Sequence, residues 1–348
     1  MEKMKFNGIK TITAIALMLC MVLGAVGCQN GEPKETEPEK TPAQSDTDVK
    51  VDESMTESKA EVATDEEAAT QPESDILTDE SSTEIETDAL TEEPWIDIGE
   101  PLPKDKEYHV LFIGNSYTYY NDLPSIFKAI AEVDGYNVTV DEVTKGSYTL
   151  EKFASESDDY GKRVREKLSS GVQYDFVILQ EQSARPASNP GPFYTGVRLL
   201  AEMARDAGAT PILYSTWGRK AGHATLSQYG WTNESMTWKL AAAYGAIGEE
   251  LDISVAHVGL AFYDIYAGAK GLELYNSDKT HPSKAGSTLA ALVLYAKIFN
   301  CNPLANEYFG IFSDKALETM KTAAFEAVFN TPEIPESYKT SSEGVGSN

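Results

Sequence analysis

Asp278 and His281 stand three residues apart in a short polar segment directly before a predicted helix. In a loop, the carboxylate at this spacing can fold back and hold one imidazole nitrogen, which leaves the other able to take a proton from a hydroxyl. Such a base and its orienting carboxylate activate a serine nucleophile. The other histidines fit this role less well, because His109 and His257 fall inside predicted strands and His223 lies in a glycine-flanked loop without an evident charged partner.

A candidate nucleophile, Ser116, follows Gly114 and Asn115 directly after a predicted strand. A serine in this position can point its hydroxyl into the crevice beyond the end of the strand. Ser and Asn are also good helix N-caps, so this motif taken alone is compatible with a structural role.

Two further loops offer hydrogen-bond donors after predicted strands. Gly146 follows the second strand and allows a backbone N–H to approach a bound oxygen closely, although it can equally be an ordinary loop glycine. Gln182 lies in the polar run 180–183 after the third strand. Its side-chain N–H can donate to an oxyanion, or this run can instead satisfy the backbone of its own loop.

The elements that must position these residues alternate from residue 101 onward. Apolar or β-branched runs predict five strands: Tyr108–Ile113, Asn137–Val143, Tyr174–Leu179, Thr210–Ser215 and Ile253–Val258. Helical patterns cover Leu123–Val133, Leu150–Leu168, Phe193–Ala207, Ser235–Leu251, Ala261–Tyr266, Lys284–Phe299 and Asp314–Phe329. Strands that are apolar throughout indicate a sheet covered on both faces, so we predict an α/β fold, a three-layer α/β/α sandwich with a five-stranded parallel sheet. Ligands of such sheets bind beyond the carboxyl ends of the strands, where the polar motifs stand.

Taken in order, these motifs resemble the four blocks of the SGNH, or GDSL-like, serine hydrolases, and the resemblance spans residues 106–300. It implies a flavodoxin-like fold, with Ser116 as nucleophile, His281 as general base and Asp278 orienting the base. The implied oxyanion donors are the N–H groups of Ser116 and Gly146, together with the side chain of Gln182.

Two positions depart from the pattern of that family. Asn115 replaces the usual aspartate beside the serine, and Gln182 replaces the asparagine of a Gly-x-Asn-Asp block while keeping the amide. The second departure puts the third oxyanion donor in doubt. Loss of one such donor costs on the order of 10²–10³ in rate.

Aromatic residues surround the expected mouth of the site. We predict Tyr117, Tyr148 and Trp217 as substrate-binding residues, because flat, partly polar rings suit stacking on sugars; the alternative is that the rings pack under the loops. We also predict Asn115, beside the serine, as a substrate-binding residue. The resulting hypothesis is an esterase that removes an acyl group, such as O-acetyl, from a carbohydrate. Lipid or simple short-chain esters, acyl transfer, and an inactive glycan-binding surface protein remain alternatives.

The composition argues against other classes of function. The chain of 348 residues has a formal charge of −26, which argues against nucleic acid as a partner. No phosphate-binding glycine loop and no Cys/His spacing of a zinc site is present, so we expect neither a cofactor nor a metal. Cys301 is the one cysteine of the globular part and has no partner there for a disulfide.

The first residues resemble a bacterial lipoprotein signal. A basic start and an apolar run end in Ala25-Val26-Gly27-Cys28, which predicts a signal peptide over 1–27 and lipid on Cys28, with secretion after cleavage or an uncleaved anchor as alternatives. We predict an acidic, disordered linker over 28–100, a hydrolase-like domain over 101–331 and a flexible tail over 332–348. The domain would then be held by lipid at a cell membrane, facing outside the cytoplasm.

Overall fold

The computed structural model describes residues 99–342. The predicted signal peptide, the lipidation site Cys28 and nearly all of the predicted linker lie outside the described residues, as do residues 343–348. Within the described range no helix combines the length and the apolar character that crossing a bilayer requires.

Five parallel strands form one sheet in the order β2-β1-β3-β4-β5. The strands are β1 (Glu107–Gly114), β2 (Asn137–Thr144), β3 (Phe176–Leu179), β4 (Thr210–Tyr214) and β5 (Val255–Ala256). This order is that of flavodoxin-like sheets, and the predicted fold class is confirmed. It makes the carboxyl ends of β1 and β3 neighbours, since Ile113 pairs with Leu179.

The helices are α1 (Ser116–Tyr119), α2 (Leu123–Val133), α3 (Leu150–Ala154), α4 (Asp159–Leu168), α5 (Arg185–Ser188), α6 (Pro190–Asp206), α7 (Ala224–Tyr229), α8 (Asn233–Leu251), α9 (Val258–Ala267), α10 (Lys284–Phe299) and α11 (Asp314–Phe329). Short 3-10 turns occupy Tyr120–Asp122, Pro303–Ala305 and Glu336–Tyr338. The predicted bounds of α2, α10 and α11 agree with these ranges.

Alternating side chains of each strand enter two apolar cores on opposite faces of the sheet. Val110 and Phe112 of β1 belong to one core, with residues of α2, α9, α10 and α11. Leu111 and Ile113 belong to the other, with residues of α3, α4, α6 and α8. Because these faces are covered by helices, the polar motifs after β1 and β3 stand at the carboxyl edge of the sheet and not on its faces.

Two predicted elements differ from the structure. The helix predicted over 150–168 is interrupted between α3 and α4, because the Asp158 carboxylate accepts the Tyr160 N–H at 2.8 Å and caps a new helix. The fifth strand has only two residues, since the chain enters α9 at Val258. His257 therefore precedes a helix instead of lying within a strand. It is partly buried, and the loss of solvent around its imidazole lowers the pKa of the ring to about 4.

Part of the predicted C-terminal tail contacts the domain. Ser342 is buried, its hydroxyl donates to the Ala246 carbonyl at 3.1 Å, and its own carbonyl accepts from Arg198 at 2.9 Å. The described residues after Pro332 thus extend along α6 and α8 instead of leaving the surface at the predicted boundary.

Candidate active site

Ser116, His281 and Asp278 form a continuous chain of hydrogen-bonding contacts. The Ser116 Oγ lies 2.8 Å from the His281 Nε2, and the His281 Nδ1 lies 2.6 Å from an Asp278 carboxylate oxygen. The residues come from the start of α1 and from the loop before α10, 165 positions apart. The structure therefore brings together the three residues that the sequence predicts as catalytic.

The Asp278 loop holds the imidazole in one orientation. The second carboxylate oxygen of Asp278 accepts the backbone N–H groups of Thr280 and His281 at 3.0 and 2.9 Å. Burial alone raises the pKa of this carboxyl, but the hydrogen bonds from the His281 ring and from these two N–H groups outweigh it, so the pKa lies below its usual value. Asp278 consequently stays ionised and favours a proton on the facing nitrogen of His281.

Tyr120 covers one face of the histidine. Its ring is stacked on the His281 ring with centroids 4.2 Å apart and planes inclined by 9°. Tyr117 meets the same ring edge-on, with centroids 5.8 Å apart. The imidazole is thus held by contacts with two aromatic rings as well as through its nitrogens.

The serine loop is fixed by the neighbouring strand end. The Gln180 side-chain oxygen accepts the Asn115 N–H and the Thr118 hydroxyl, each at 2.8 Å. Gly114 makes this approach possible, because a Cβ there would lie 2.7 Å from that oxygen and 2.3 Å from the Thr118 hydroxyl. Asn115 in turn caps α1 by accepting the Tyr117 N–H at 3.1 Å.

Within the described part of the chain, the three predicted oxyanion donors have no strong hydrogen-bond partner, although Gly146 is not among the residues that line the cavity beside Ser116. Among the described residues, neither the Ser116 N–H nor the Gly146 N–H donates a hydrogen bond to another residue. The Gln182 side chain lines the same cavity as Ser116; its oxygen accepts the Ala184 N–H at 3.2 Å, and its Nε2 has only a long contact of 3.5 Å to Ser183. The predicted oxyanion donors therefore have free hydrogen-bonding capacity, while their role in the reaction stays a prediction.

The cavity beside Ser116 has a volume of about 80 Å³. Its walls are mainly polar, and they are formed by Asn115, Ser116, Tyr117, Ser147, Gln182, Ser183, Arg219, Thr280 and His281. Four of these, Ser147, Ser183, Arg219 and Thr280, were missed by sequence reasoning. Arg219 follows β4 by five residues. The carboxyl-end rule, applied as strictly to β4 as to the other strands, could have found it.

The prediction of Trp217 as a substrate-binding residue is wrong. Its side chain is fully buried, stacked between Tyr117 and Phe262 at centroid distances of 4.3 and 4.1 Å. Its indole N–H donates to the Thr280 carbonyl at 3.0 Å. Trp217 therefore packs inside the protein against the loop that contains His281 and supports this loop.

The other predicted substrate-binding residues differ in position. Tyr117 is buried, with its hydroxyl 2.6 Å from that of Thr280, so only a small part of it reaches the cavity wall. Asn115 is also buried, and its amide donates to the Tyr148 carbonyl at 3.1 Å. Tyr148 itself is partly exposed and does not line the cavity; its hydroxyl donates to Asp158 at 2.5 Å, which raises the pKa of Tyr148 to about 12.

The other titratable groups near the site do not form a metal centre. Residues 99–342 contain no cluster of three or more His, Cys, Asp or Glu side chains that could hold a metal ion. Cys301 is buried and its thiol lies 3.1 Å from the Tyr136 hydroxyl, far along the chain from the serine loop.

Comparison with known proteins finds similar solved structures, a hydrolase among them. No protein-family model and no curated protein matches the chain significantly. A solved protein of Slackia heliotrinireducens, assigned to the SGNH hydrolases, is 34% identical over 55% of this chain and 98% of its own, with a TM-score of 0.48. This sequence identity extends over nearly the whole of that protein and indicates that the two chains are related.

A second solved structure supports the fold. A DUF4886 family protein of Bacteroides uniformis is 16% identical over 66% of this chain and 98% of its own, with a TM-score of 0.55. At this identity the likeness extends to the architecture alone.

Proposed function

Because the chain belongs to the SGNH hydrolase family of serine ester hydrolases, we propose that it removes a short acyl group, O-acetyl on a carbohydrate, through an acyl-enzyme on Ser116. The observation that carries this proposal is the contact chain from Ser116 through His281 to Asp278, at 2.8 and 2.6 Å. This arrangement can deprotonate a serine hydroxyl while it attacks a carbonyl carbon.

The reaction proceeds in two half-reactions. The Ser116 oxygen attacks the ester carbonyl as its proton passes to the His281 Nε2, and the negative charge of the tetrahedral intermediate is taken by the Ser116 and Gly146 N–H groups and the Gln182 amide. The intermediate collapses when His281 returns the proton to the leaving alcohol. Water, deprotonated by the same nitrogen, then attacks the acyl-serine; the bond between the acyl carbon and the Ser116 oxygen breaks, His281 returns the proton to that oxygen, and the carboxylic acid is released.

The size of the cavity supports a short acyl group. Its volume of about 80 Å³ is far below the ~300–1,000 Å³ of a site that encloses a whole small molecule. A group the size of acetyl fits such a space, and the alcohol part of the substrate then extends over the rim. Tyr120, which stacks on His281, and the adjacent Tyr119 are at least partly exposed, which favours contact with a sugar.

The proposed location of the enzyme rests on the sequence. We propose that Cys28 carries lipid and that the acidic residues before the domain hold it away from the membrane surface. Mass spectrometry of the chain purified from membranes should find a lipid-modified N-terminal Cys28. A mature chain that begins at another residue, or a wild-type chain that carries no lipid, would overturn the proposed location.

Nitrophenyl acetate hydrolysis by the full-length chain tests the proposed chemistry. We expect Ser116→Ala and His281→Ala each to abolish measurable turnover, and a serine-directed phosphonate to label the wild type but not Ser116→Ala. Ser125→Ala, which removes an exposed serine of α2, should behave as the wild type. Acetylated glycans would then be screened for release of acetate.

Three outcomes would contradict the proposal. Activity that survives Ser116→Ala would place the nucleophile elsewhere. Absence of both turnover and phosphonate labelling in the wild type would favour the glycan-binding alternative. Appearance of the acetyl group on an added alcohol in place of free acetate would identify an acyltransferase.

A further inference from the structure

Arg219 places a guanidinium group in the wall of the cavity that contains Ser116 and His281. Its Nη2 donates to the Ser183 hydroxyl at 2.7 Å, and its Nη1 contacts the Thr280 hydroxyl and lies 3.0 Å from the His223 Nε2. These contacts fix the plane of the group. The mechanism proposed above gives this cation no task.

The charge of Arg219 is not balanced by a carboxylate. No ion pair joins it to an acidic residue between positions 99 and 342, and its contacts are two hydroxyls and an imidazole. Its Nε is buried and without a hydrogen-bond partner among the described atoms. Partly buried cations normally have an anionic partner, because removal from water is otherwise costly. Lys279, on the same loop as His281, also makes no ion pair within this range and adds positive potential.

The contact between Arg219 and His223 lacks a hydrogen-bond acceptor. The His223 Nδ1 accepts the Thr225 N–H at 3.0 Å, so the neutral ring carries its proton on Nε2. Burial, together with the neighbouring Arg219, lowers the pKa of this imidazole and keeps it neutral near pH 7. The His223 Nε2–H and the Arg219 Nη1 are then two donors that face each other over 3.0 Å, so neither accepts the hydrogen bond of the other. An anionic oxygen of a substrate would supply the acceptor that this pair lacks.

We propose that Arg219 determines specificity by binding a carboxylate of the substrate, so that the preferred substrate is an acyl ester in which an acidic group lies near the scissile bond. This inference rests on the proposed esterase function and narrows its substrate class. An O-acetylated acidic sugar carries the carboxylate on the alcohol part, and a dicarboxylic half-ester carries it on the acyl part. In either case the planar guanidinium supplies charge-assisted hydrogen bonds that a neutral ester cannot use.

Paired esters of similar size that differ chiefly in charge test the proposal with the full-length chain. For the alcohol part, 4-acetoxybenzoate is compared with its methyl ester; for the acyl part, phenyl hydrogen glutarate is compared with phenyl pentanoate. We expect the wild type to prefer the anionic member of one pair, and Arg219→Gln to lower kcat/KM for that member by on the order of 10- to 100-fold, mainly through KM. The neutral members should change by less than about threefold. Arg219→Lys, which keeps the charge but not the planar fork, should recover part of the preference.

The matched control is Lys220→Gln, which removes a positive charge at the adjacent position. The Lys220 side chain pairs with Glu273 and does not line the cavity. It should leave the ratio of anionic to neutral rates unchanged. Thermal unfolding of each variant checks that the fold is retained.

The possible failures are distinguishable. Equal loss for neutral and anionic esters in Arg219→Gln would show that Arg219 only supports the Thr280 loop, and would overturn this inference while leaving the esterase intact. An active wild-type enzyme without preference for either anionic ester would also overturn this inference and leave the proposed esterase function intact. No turnover of any ester, with no phosphonate labelling of Ser116, would overturn the proposed function, and this inference with it.

Discussion

The side-chain oxygen of Gln180, at the end of β3, accepts the backbone N–H of Asn115, at the end of β1, over 2.8 Å. The same oxygen accepts the Thr118 hydroxyl on the far side of the serine. One buried amide therefore holds both flanks of Ser116, and the nucleophile is positioned by a neighbouring strand as well as by its own loop.

Replacement of this amide should affect both stability and rate. We expect Gln180→Leu to lower the free energy of unfolding by about 1–3 kcal/mol, because it leaves a buried N–H and a hydroxyl without their acceptor. A displacement of Ser116 by about 1 Å would lower kcat on the order of 10²-fold. Urea denaturation and nitrophenyl acetate kinetics measure the two effects. Gln173→Leu, at an exposed glutamine, is the control, and equal behaviour of the two variants would contradict the prediction.

The charge of Asp278 should matter more than its shape. Asp278→Asn keeps the size of the side chain but presents an amide to His281 and no longer stabilises the imidazolium. We expect kcat to fall on the order of 10⁴-fold with little change in KM. Asp159→Asn, at an exposed aspartate, should leave kcat and KM unchanged. A loss of less than about tenfold for Asp278→Asn would show that Asp278 does not serve as the orienting carboxylate.

Substitution of Gln182 tests whether its side-chain amide serves as the third oxyanion donor in place of the asparagine that is usual in the family. If its amide reaches the developing negative charge, Gln182→Leu should lower kcat on the order of 10²–10³-fold with KM nearly unchanged. Gln182→Asn, which is one methylene shorter, should retain part of the rate. Stability must be measured in parallel, because the Gln182 oxygen also accepts the Ala184 N–H. A change in kcat below about threefold would leave only the Ser116 and Gly146 donors.

Glu181 should make stability depend on pH. The side chain is buried, and burial raises the pKa of its carboxyl to about 7, although the Gln182 and Leu150 N–H groups lower it in part. In the unfolded chain the pKa returns to its ordinary value of 4.5. Between these two pH values the folded protein holds a proton that the unfolded chain has released. The stabilising contribution of Glu181 is therefore complete below about pH 4.5 and is lost as the pH rises to about 7.

Comparison with Glu181→Gln isolates this contribution. The free energy of unfolding of the wild type, minus that of the variant, should fall by on the order of 3 kcal/mol between pH 4.5 and pH 8. Urea denaturation at a series of pH values measures the difference. A difference that does not vary with pH would show that Glu181 does not titrate in this range.

Much of the fold was predictable because its signals are local. The bounds of α10 and α11 follow from apolar patterns that begin after capping serines, Ser283 and Ser313, whose hydroxyls accept N–H groups three residues on. The Asp278–His281 pair was predictable for the same reason, since three residues of loop are enough to close it. Long-range packing decided the elements that were predicted less well. β5 ends after Ala256 because α9 begins close against the chain that follows β4, where a Cβ on Gly259 would lie 2.1 Å from the Thr216 carbonyl.

By itself, the sequence determined the order of strands and helices, the candidate residues at the strand ends and the resemblance to serine hydrolases. The tertiary structure alone decided which side chains meet. An aromatic ring has the same sequence signal at a sugar-binding rim and in a buried stack, so only packing placed Trp217 beneath the Thr280 loop. Arg219 follows β4 closely in sequence, but the partners of its guanidinium have no local pattern. Its surroundings come from Ser183 and Thr280, 36 and 61 positions away, because the carboxyl ends of parallel strands gather distant loops at one edge of the sheet.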